Sequence, residues 1–233
     1  MFQFIPQIRY GLDCMNIVIF GSSGHAKVMI EVIQNSGEHR LLGLIVEPDS
    51  REKEVNSVPV IGSDGDLPAL SREMGFKHGI IGVYDNFVRC AIKDRIIGLL
   101  PDFGFVTAID PRASISRSAQ IGVGTAVMGG VTINAGCVIG EQCVVNTNSS
   151  VDHDCVLSNG SSIGPGVTLG GNVKIGKLSY VGIGSVISHN VVVGEHTVIG
   201  GSSFVKKDVG DRELGYSSPY RKVRNREPGE KYL

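Results

Sequence analysis

The sequence predicts two domains of different fold class, an N-terminal α/β domain followed by an all-β parallel β-helix. Two patterns support this: a glycine-rich loop among apolar runs in the first half, and a six-residue aliphatic period in the second. The chain has 233 residues, 42% of them apolar, which is enough for two hydrophobic cores.

The net charge of −1 argues against nucleic acid or an anionic membrane as a partner of this chain. No apolar run approaches the ~20 residues of a membrane span.

The first 14 residues lack the basic start and apolar core of a signal peptide. Because Met15 opens the first clear apolar run, we expect residues 1–14 to be an extension upstream of the natural start. The protein is then expected in the cytoplasm, with its five cysteines reduced. These are Cys14, Cys90, Cys137, Cys143 and Cys155.

The first half alternates apolar runs with segments of helical character. Strands are predicted at 15–20, 41–46, 58–61 and 79–83, and helices at 28–34 and 87–99. This order predicts a truncated Rossmann-like sheet within residues 15–106.

The loop Gly21–His25 joins the first predicted strand to the first predicted helix. Such a loop presents backbone N–H groups at a helix N-terminus, where a phosphate binds. A tight turn without a ligand is the alternative, and the loop alone does not decide between them. It reads G-x-x-G-H rather than G-x-G-x-x-G, so NAD is not expected. Glu47 and Asp49 follow the second strand, where a Rossmann fold contacts a ribose.

Seventeen consecutive sixth positions in the second half are Ile, Leu or Val. They are Ile109, Ile115, Ile121, Val127, Ile133, Ile139, Val145, Val151, Leu157, Ile163, Leu169, Ile175, Val181, Ile187, Val193, Ile199 and Val205. Neither an α-helix nor an alternating strand has this period. Three hexapeptides form one triangular coil, so residues 107–222 are predicted to stack five to six coils into a prism roughly 25–28 Å tall. Its ends need caps, for which we expect 103–106 and 210–233.

A second signal accompanies the aliphatic one. A small residue stands four positions after each aliphatic, and Gly or Asn often stands directly after it. We interpret the small residue as filling a crowded corner and the Gly as accepting a turn with positive φ.

The main candidate for chemistry is His153, in the middle of the repeats. It stands two positions after the inward-facing Val151, so we expect it to point outward from a flat face. Asp152 and Asp154 flank it. An adjacent carboxylate orients an imidazole and raises its basicity, as a general base near neutral pH requires. From the triplet alone, a solvated surface histidine beside two acids is the alternative.

A metal site is not expected. The chain has no CxxC pair, and His189 and His196 do not converge with His153 at the spacing of a three-histidine zinc site.

Four stretches resemble a known family. They are GSSGHAKV at 21–28, VPVIGSDGDL at 58–67, YDNFVR at 84–89 and NTNSSVDHD at 146–154. Across about residues 15–222 the chain is similar to the bacterial sugar acyltransferases that include UDP-4-amino-sugar N-acetyltransferases and sialic acid O-acetyltransferases. The resemblance implies a left-handed β-helix, a homotrimer, acetyl-CoA in the groove between neighbouring prisms, and a sugar nucleotide held by the N-terminal domain.

The resemblance also implies roles for single residues. His153 would take the proton of the attacking sugar amine or hydroxyl, Asp154 would hold and polarise it, and a backbone N–H of an adjoining coil would stabilise the oxyanion. The implied substrate-binding residues are Ser23, Gly24, His25, Glu47 and Tyr84. The implied acetyl-CoA contacts are Ser162, Gly171, Asn172, Gly182, Ile183 and Gly201. Tyr84 replaces a glycine of relatives, and Ser162 stands where some relatives have a second histidine.

The expected function is an acetyl-CoA-dependent N-acetyltransferase acting on a nucleotide-linked amino sugar, such as a UDP-4-amino sugar, in surface glycan biosynthesis. A sialic acid O-acetyltransferase and a non-catalytic trimeric binding module are the alternatives. An amine is the better nucleophile once neutral, whereas a hydroxyl needs stronger base assistance. The phosphate-ready loop favours a nucleotide-linked acceptor, because free sialic acid carries no phosphate.

Overall fold

The computed structural model of the chain describes residues 4–5, 14–216 and 220–231. Most of the predicted extension 1–14 lies outside the described residues. Of that segment, strand β1 (Phe4–Ile5) pairs antiparallel with Ile121 and Gly122.

The N-terminal domain is a mostly parallel sheet with helices. Its elements are β2 (Asn16–Phe20), α1 (Gly24–Ser36), β3 (Arg40–Val46), β4 (Glu54–Val55), β5 (Val58–Ser63), a 3₁₀ turn (Asp64–Asp66), α2 (Leu67–Met74), β6 (His78–Ile81), α3 (Asn86–Leu99) and β7 (Gly104–Phe105). The sheet order is β4-β5-β3-β2-β6-β7, and β4 is antiparallel to β5. This confirms the Rossmann-like α/β domain. Helix α2 was not predicted. It is only eight residues long, although Leu67, Leu70 and Met74 form an apolar stripe at i, i+3 and i+7 that packs on the N-terminal core.

Capping side chains set the helix bounds. Ser23 accepts a hydrogen bond from the N–H of His25, so α1 begins four residues before its predicted start. It ends at Ser36, two residues after its predicted end, and Gly37 caps it with a φ of 64°. The Asp85 carboxylate accepts from the N–H of Val88 and starts α3.

Seventeen short strands follow and confirm the hexapeptide period. They are β8 (Ala108–Ile109), β9 (Ser114–Ile115), β10 (Gln120–Gly122), β11 (Ala126–Val127), β12 (Thr132–Ile133), β13 (Val138–Ile139), β14 (Val144–Val145), β15 (Ser150–Val151), β16 (Val156–Leu157), β17 (Ser162–Ile163), β18 (Thr168–Leu169), β19 (Lys174–Ile175), β20 (Tyr180–Val181), β21 (Val186–Ile187), β22 (Val192–Val193), β23 (Val198–Ile199) and β24 (Phe204–Val205). Each periodic aliphatic residue lies in one of them. From Ile121 to Val205 these side chains are at most 2% exposed, so they form the interior of the prism.

Strands 18 residues apart pair in parallel, as in the ladder Ile133, Val151 and Leu169. Face 1 contains β8, β11, β14, β17, β20 and β23; face 2 contains β9, β12, β15, β18, β21 and β24; face 3 contains β10, β13, β16, β19 and β22. The chain passes from face 1 to face 2 to face 3 in every coil, so each coil is a triangle.

The two ends of the prism are closed differently. Phe103 and Phe105 belong to the N-terminal core, so the expectation that 103–106 caps the prism is wrong for them, although Val106 joins the prism core. Helix α1 packs on β8 instead. At the other end, β25 (Glu213–Tyr216) extends face 1 beside β23, and β26 (Arg221–Asn225) pairs with it. The predicted cap at 210–233 is confirmed for its described residues.

The turns correct one interpretation of the glycines. Positive φ falls on the second turn residue, three positions after the aliphatic, as at Asn148 (56°) and Asp154 (58°). The glycines directly after the aliphatics are not at positive φ. A Cβ at Gly176 or Gly182 would lie 2.5 Å from the backbone of the next coil. These glycines therefore permit close stacking of the coils.

The buried side chain of Arg89, on α3, joins the two domains. It is 1% exposed, and its guanidinium donates to six oxygens. The acceptors are the carbonyls of Val83, Tyr84, Gln142 and Gly160, Oδ1 of Asn86 and Oγ of Ser162. Three of these belong to the prism, so Arg89 fixes how the α/β domain sits on face 1.

Candidate functional site

His153 lies at the corner between faces 2 and 3, so the expected position on a flat face is wrong. Strand β15 ends at Val151, and His153 with Asp154 forms the turn that follows. Because almost every strand has only two residues, four of the six residues of a hexapeptide are left for the connection. The corner leaves 53% of the His153 side chain exposed.

The two acids beside His153 act on different parts of it. Nδ1 of His153 lies 2.8 Å from Oδ2 of Asp154. This hydrogen bond, with the charges of Asp152 and Asp154, raises the pKa of His153. The backbone N–H of His153 donates to Oδ1 of Asp152, which also accepts from Asn134. In neutral His153 the proton on Nδ1 faces Asp154, which leaves the lone pair on Nε2 to accept a proton.

Glycines on both adjacent coils make room for this pair. A Cβ on Gly171, one coil along, would lie 2.6 Å from Nε2 of His153. A Cβ on Gly136, one coil back, would overlap Oδ1 of Asp154. Gly171 donates its N–H to Nδ1 of His189, 2.9 Å away. Gly171 and Asn172 thus lie at the same corner as His153, and the N–H of Asn172 donates to the carbonyl of His153.

The other implied acetyl-CoA contacts lie elsewhere. Ile183 and Gly201 are at the corner between faces 1 and 2, and Gly182 directly precedes Ile183. Ile183 is 59% exposed, and a Cβ on Gly201 would lie 3.0 Å from its Cγ2. Within one chain the width of face 2 separates them from His153. A groove of about 520 Å³ lies on that face. It is lined by, among others, Asn134, Asp152, Thr168, Val186, His189 and Phe204.

The structure contradicts the expectation that Ser162 contacts acetyl-CoA. Ser162 lies on face 1 under α3 and is 0% exposed. Its Oγ donates to Oδ1 of Asn86 and accepts from Arg89. Ser162 therefore belongs to the domain interface.

A pocket of about 410 Å³ lies at the carboxyl ends of β2 and β3. Ser23 and Glu47 both line it, together with Asp49. Arg95 and Asp64 line it as well and form an ion pair. Burial raises the pKa of Asp64. The sequence did not predict Arg95 as a site residue, because an arginine within a helix is usually exposed to solvent.

Gly24, His25 and Tyr84 are placed differently from Ser23 and Glu47. Gly24 is exposed, with open space where a Cβ would stand. His25 is packed against Tyr84 at the domain interface, with ring centroids 5.2 Å apart, and neither side chain lines the pocket. Burial, with a smaller effect of Arg89, lowers the pKa of His25 to about 3, so this histidine is neutral. Nε2 of His25 and the hydroxyl of Tyr84 are buried without a hydrogen-bond partner among the described residues.

In the part of the chain that the structure describes, no three His, Cys, Asp or Glu side chains converge to hold a metal ion. No helix among the same residues is long and apolar enough to cross a membrane. The five cysteines are free thiols, and Cys137, Cys143 and Cys155 are buried in the prism.

Both domains of the chain are similar to known proteins. Residues 16–96 match the family model described as PglD N-terminal domain. The crystal structure of a histidine variant of perosamine N-acetyltransferase from Caulobacter crescentus, in complex with CoA and GDP-perosamine, is similar with a TM-score of 0.85 and 33% identity over 93% of this chain and 100% of that one. The acetyltransferase domain of PglB from Neisseria gonorrhoeae, in complex with acetyl coenzyme A, is similar with a TM-score of 0.82 and 30% identity over 91% of this chain and 100% of that one.

A curated relative gives a shorter match. UDP-N-acetylbacillosamine N-acetyltransferase from Bacillus subtilis is 33% identical over 113 residues, 48% of this chain. The match spans about half, 51%, of that relative's length. The full-length structural similarity at 33% identity, together with the α/β domain and the prism, decides the assignment. The chain belongs to the sugar N-acetyltransferases of the hexapeptide-repeat superfamily, in which an α/β domain precedes a left-handed parallel β-helix.

Proposed function

We propose that this protein is an acetyl-CoA-dependent N-acetyltransferase that acts on a nucleotide-linked amino sugar in surface glycan biosynthesis. The observation that carries the proposal is the His153–Asp154 pair, held at an exposed corner with Nε2 unprotonated in the neutral ring. The relatives support it, since one was solved with CoA and GDP-perosamine and another with acetyl coenzyme A.

The proposed reaction needs one base. Nε2 of His153 removes a proton from the sugar amine while the nitrogen attacks the thioester carbonyl of acetyl-CoA. The C–N bond forms, the C–S bond breaks, and CoA leaves as the thiolate. Asp154, which is hydrogen-bonded to Nδ1, stabilises the imidazolium that forms. No metal takes part in this sequence of steps.

The pocket beside α1 suits the nucleotide of the acceptor. The N-terminus of α1 points backbone N–H groups at it, as phosphate binding requires. Glu47 and Asp49 supply carboxylates for ribose hydroxyls, and Arg95 supplies a cation. Gly24 directly follows the pocket-lining Ser23 at the N-terminus of α1, and its exposed position has open space for an added side chain.

The separation of the candidate residues supports a homotrimer. Ile183 and Gly201 lie at one edge of face 2 and His153 at the other, so one chain does not bring acetyl-CoA contacts and base together. A neighbour that sets its own corner beside face 2 would do so. The exposed apolar side chains of Ile183 and Val186 are suited to such a contact. We place the enzyme in the cytoplasm, where acetyl-CoA is available.

The test of the base is His153→Ala. We expect kcat to fall at least ~10²-fold with the oligomer and the thermal midpoint unchanged. His196→Asn, at a turn on another corner, is the control and should keep full activity, because Asn tolerates the φ of 53° at this position. Unchanged turnover in His153→Ala would contradict the assignment.

The acceptor is identified by calorimetric titration with UDP, GDP, CMP and free sialic acid, each in the presence of CoA. Binding of UDP or GDP supports the proposal and names the nucleotide, whereas binding of sialic acid alone favours the O-acetyltransferase. Gly24→Val should then raise the KM for the acceptor and leave acetyl-CoA binding intact. An unaffected acceptor KM would remove the loop from the site.

A further inference from the structure

Three polar groups stand in a row along the carboxyl edge of the N-terminal sheet. Strands β5, β3 and β2 are neighbours, and Ser63 at the end of β5 pairs with Val46 at the end of β3. Asp64 and Glu47 directly follow these two residues, so they stand side by side, roughly 5 Å apart. The loop 21–23 follows β2, on the other side of Glu47. All three groups line the pocket of about 410 Å³.

A nucleoside diphosphate has its parts in the same order. In the proposed function its phosphates bind at the N-terminus of α1 and its ribose binds at Glu47. The nucleobase then extends one position further along the edge, to Asp64 and to Arg95, whose side chain pairs with Asp64. The nucleobase is therefore the part of the acceptor that reaches this charged pair.

Helix α3 supplies an apolar wall at the same place. Val88, Ile92 and Arg95 stand four and three residues apart, so they lie on one face of α3, and all three line the pocket. Val88 and Ile92 offer apolar surface to the face of a planar ring. Arg95, beyond them, brings its guanidinium to Asp64. This end of the pocket thus combines an apolar surface with a charged pair for the polar edge of a nucleobase.

We propose that Asp64 and Arg95 select guanine, which makes the acceptor a guanosine-diphosphate-linked amino sugar and Asp64 a specificity-determining residue. The inference rests on the proposed function in one respect, namely that the pocket beside α1 holds the nucleotide of the acceptor.

The polar edges of the nucleobases decide between them. Guanine presents two adjacent donors, N1–H and the 2-amino group, next to the acceptor O6, and a carboxylate beside a guanidinium complements all three. Uracil presents one N–H between two carbonyl oxygens, and both oxygens repel a carboxylate placed at that N–H. Adenine and cytosine each present an amino donor next to a ring-nitrogen acceptor, which repels the carboxylate as well. Guanine is therefore the nucleobase that suits this pair.

The burial of Asp64 strengthens the selection. Its side chain is 14% exposed, and Arg95 pairs with it. Burial raises the pKa of Asp64, and the charge and the hydrogen bond of Arg95 oppose this shift. A carboxylate with little access to water depends on the donors that its ligand brings, so a nucleobase that faces it with an acceptor binds weakly.

Changes of single groups on the ligand test the contact. Calorimetric titration of the wild-type protein uses GDP, UDP, inosine diphosphate, which lacks the 2-amino group, and xanthosine diphosphate, which has a carbonyl in its place. We expect GDP to bind roughly 10- to 100-fold more tightly than each of the other three. Binding of UDP or of inosine diphosphate as tight as that of GDP overturns the proposal.

Asp64→Asn should exchange the preference. The asparagine accepts from N1–H and donates its amide N–H to a 2-carbonyl. We therefore expect this variant to bind xanthosine diphosphate at least about 10-fold more tightly than the wild type does, and GDP at least about 10-fold more weakly. A gain of binding excludes misfolding as the cause. An unchanged preference in Asp64→Asn overturns the assignment of Asp64.

Asp94→Asn is the matched control. Asp94 directly precedes Arg95 on α3, is exposed and does not line the pocket. Its substitution removes the same charge and should leave the preference for GDP unchanged. An exchange of preference in Asp94→Asn as large as in Asp64→Asn also overturns the proposal, because the loss of any nearby charge would then explain it.

The outcomes for the nucleobase and for the reaction are separate. If UDP binds most tightly and a UDP-linked amino sugar is acetylated, the proposed function stands and the guanine assignment is wrong. If the GDP preference and its exchange hold while His153→Ala keeps its turnover, the proposed catalytic base is wrong and the guanine assignment stands. Binding of none of the four nucleotides overturns the guanine assignment together with the nucleotide role of the pocket.

Discussion

Nε2 of His153 lies 2.6 Å from the point where a Cβ of Gly171 would stand, so the proposed base occupies a space that only glycine leaves open. Real Cβ atoms do not approach a ring nitrogen this closely, and the imidazole must move if the methyl group is added. The first prediction follows: Gly171→Ala should lower kcat about 10- to 100-fold, because the base is displaced by about 1 Å. The KM for acceptor should change little.

Gly98→Ala is the control for the glycine substitution. Gly98 lies on the exposed side of α3 with open space around a Cβ, so alanine there should stabilise the helix slightly and leave kcat unchanged. Steady-state kinetics and thermal unfolding of Gly171→Ala and Gly98→Ala test this prediction. Full activity in Gly171→Ala would show that the His153 ring reaches its reacting position from another rotamer.

The second prediction concerns Arg89. Arg89→Met removes the donor for four carbonyls and two side-chain oxygens, several of them buried at the domain interface. Each buried acceptor left unpaired costs about 1–3 kcal/mol, so the free energy of unfolding should fall by roughly 3–5 kcal/mol. Lys93→Met is the comparison, since Lys93 lies one turn along α3 and bonds Glu141 in a partly exposed ion pair. It should cost about 0–1 kcal/mol. Chemical denaturation measures both, and equal losses would contradict the role of Arg89.

The repeat made the prism predictable. A six-residue aliphatic period has few structural solutions, and Ile121 to Val205 are buried where the period places them. The corners of the prism were harder to predict, because the six-residue period does not show where each short strand ends. His153 was therefore expected on a face, although it lies in the turn after Val151. The role of Gly176 in stacking was not predicted either. It depends on the distance between neighbouring coils, and the residue pattern within one coil does not specify that distance.

The domain interface was not predictable from one sequence. Arg89 stands among helical residues like any solvated arginine, and its acceptors Gln142 and Gly160 are more than 50 residues away in the chain. Ser162 stands directly before the inward-facing Ile163, so by alternation it points outward and resembles a surface position. Its burial arises because α3 covers face 1, and a repeat pattern does not show which face another domain covers.

The third prediction separates Ser162 from the cofactor site. Ser162→Ala leaves Arg89 and Asn86 each without one buried partner, so the free energy of unfolding should fall by about 1–3 kcal/mol. The KM for acetyl-CoA should stay at the wild-type value. Denaturation and steady-state kinetics on the same preparation check this. A raised KM with unchanged stability would return Ser162 to the acetyl-CoA site.

The fourth prediction uses the pH dependence of turnover. The hydrogen bond that Nδ1 of His153 donates to Asp154 raises the pKa of His153, and the proposed base works only in its neutral form. Activity should therefore be lost as the pH falls through this raised pKa. Asp154→Asn removes the carboxylate that stabilises the imidazolium, which lowers the pKa and moves the acid limb of the kcat profile to lower pH. The plateau should also fall, at least about 10-fold, because the weaker base is no longer held in one tautomer. Asn tolerates the φ of 58° at this position, so the turn should keep its shape.

Asp102→Asn is the control for this substitution. Asp102 is at an exposed position of the N-terminal domain, so its replacement should leave the acid limb and the plateau of the kcat profile unchanged. An acid limb that does not move in Asp154→Asn would mean that the limb reports a group other than His153.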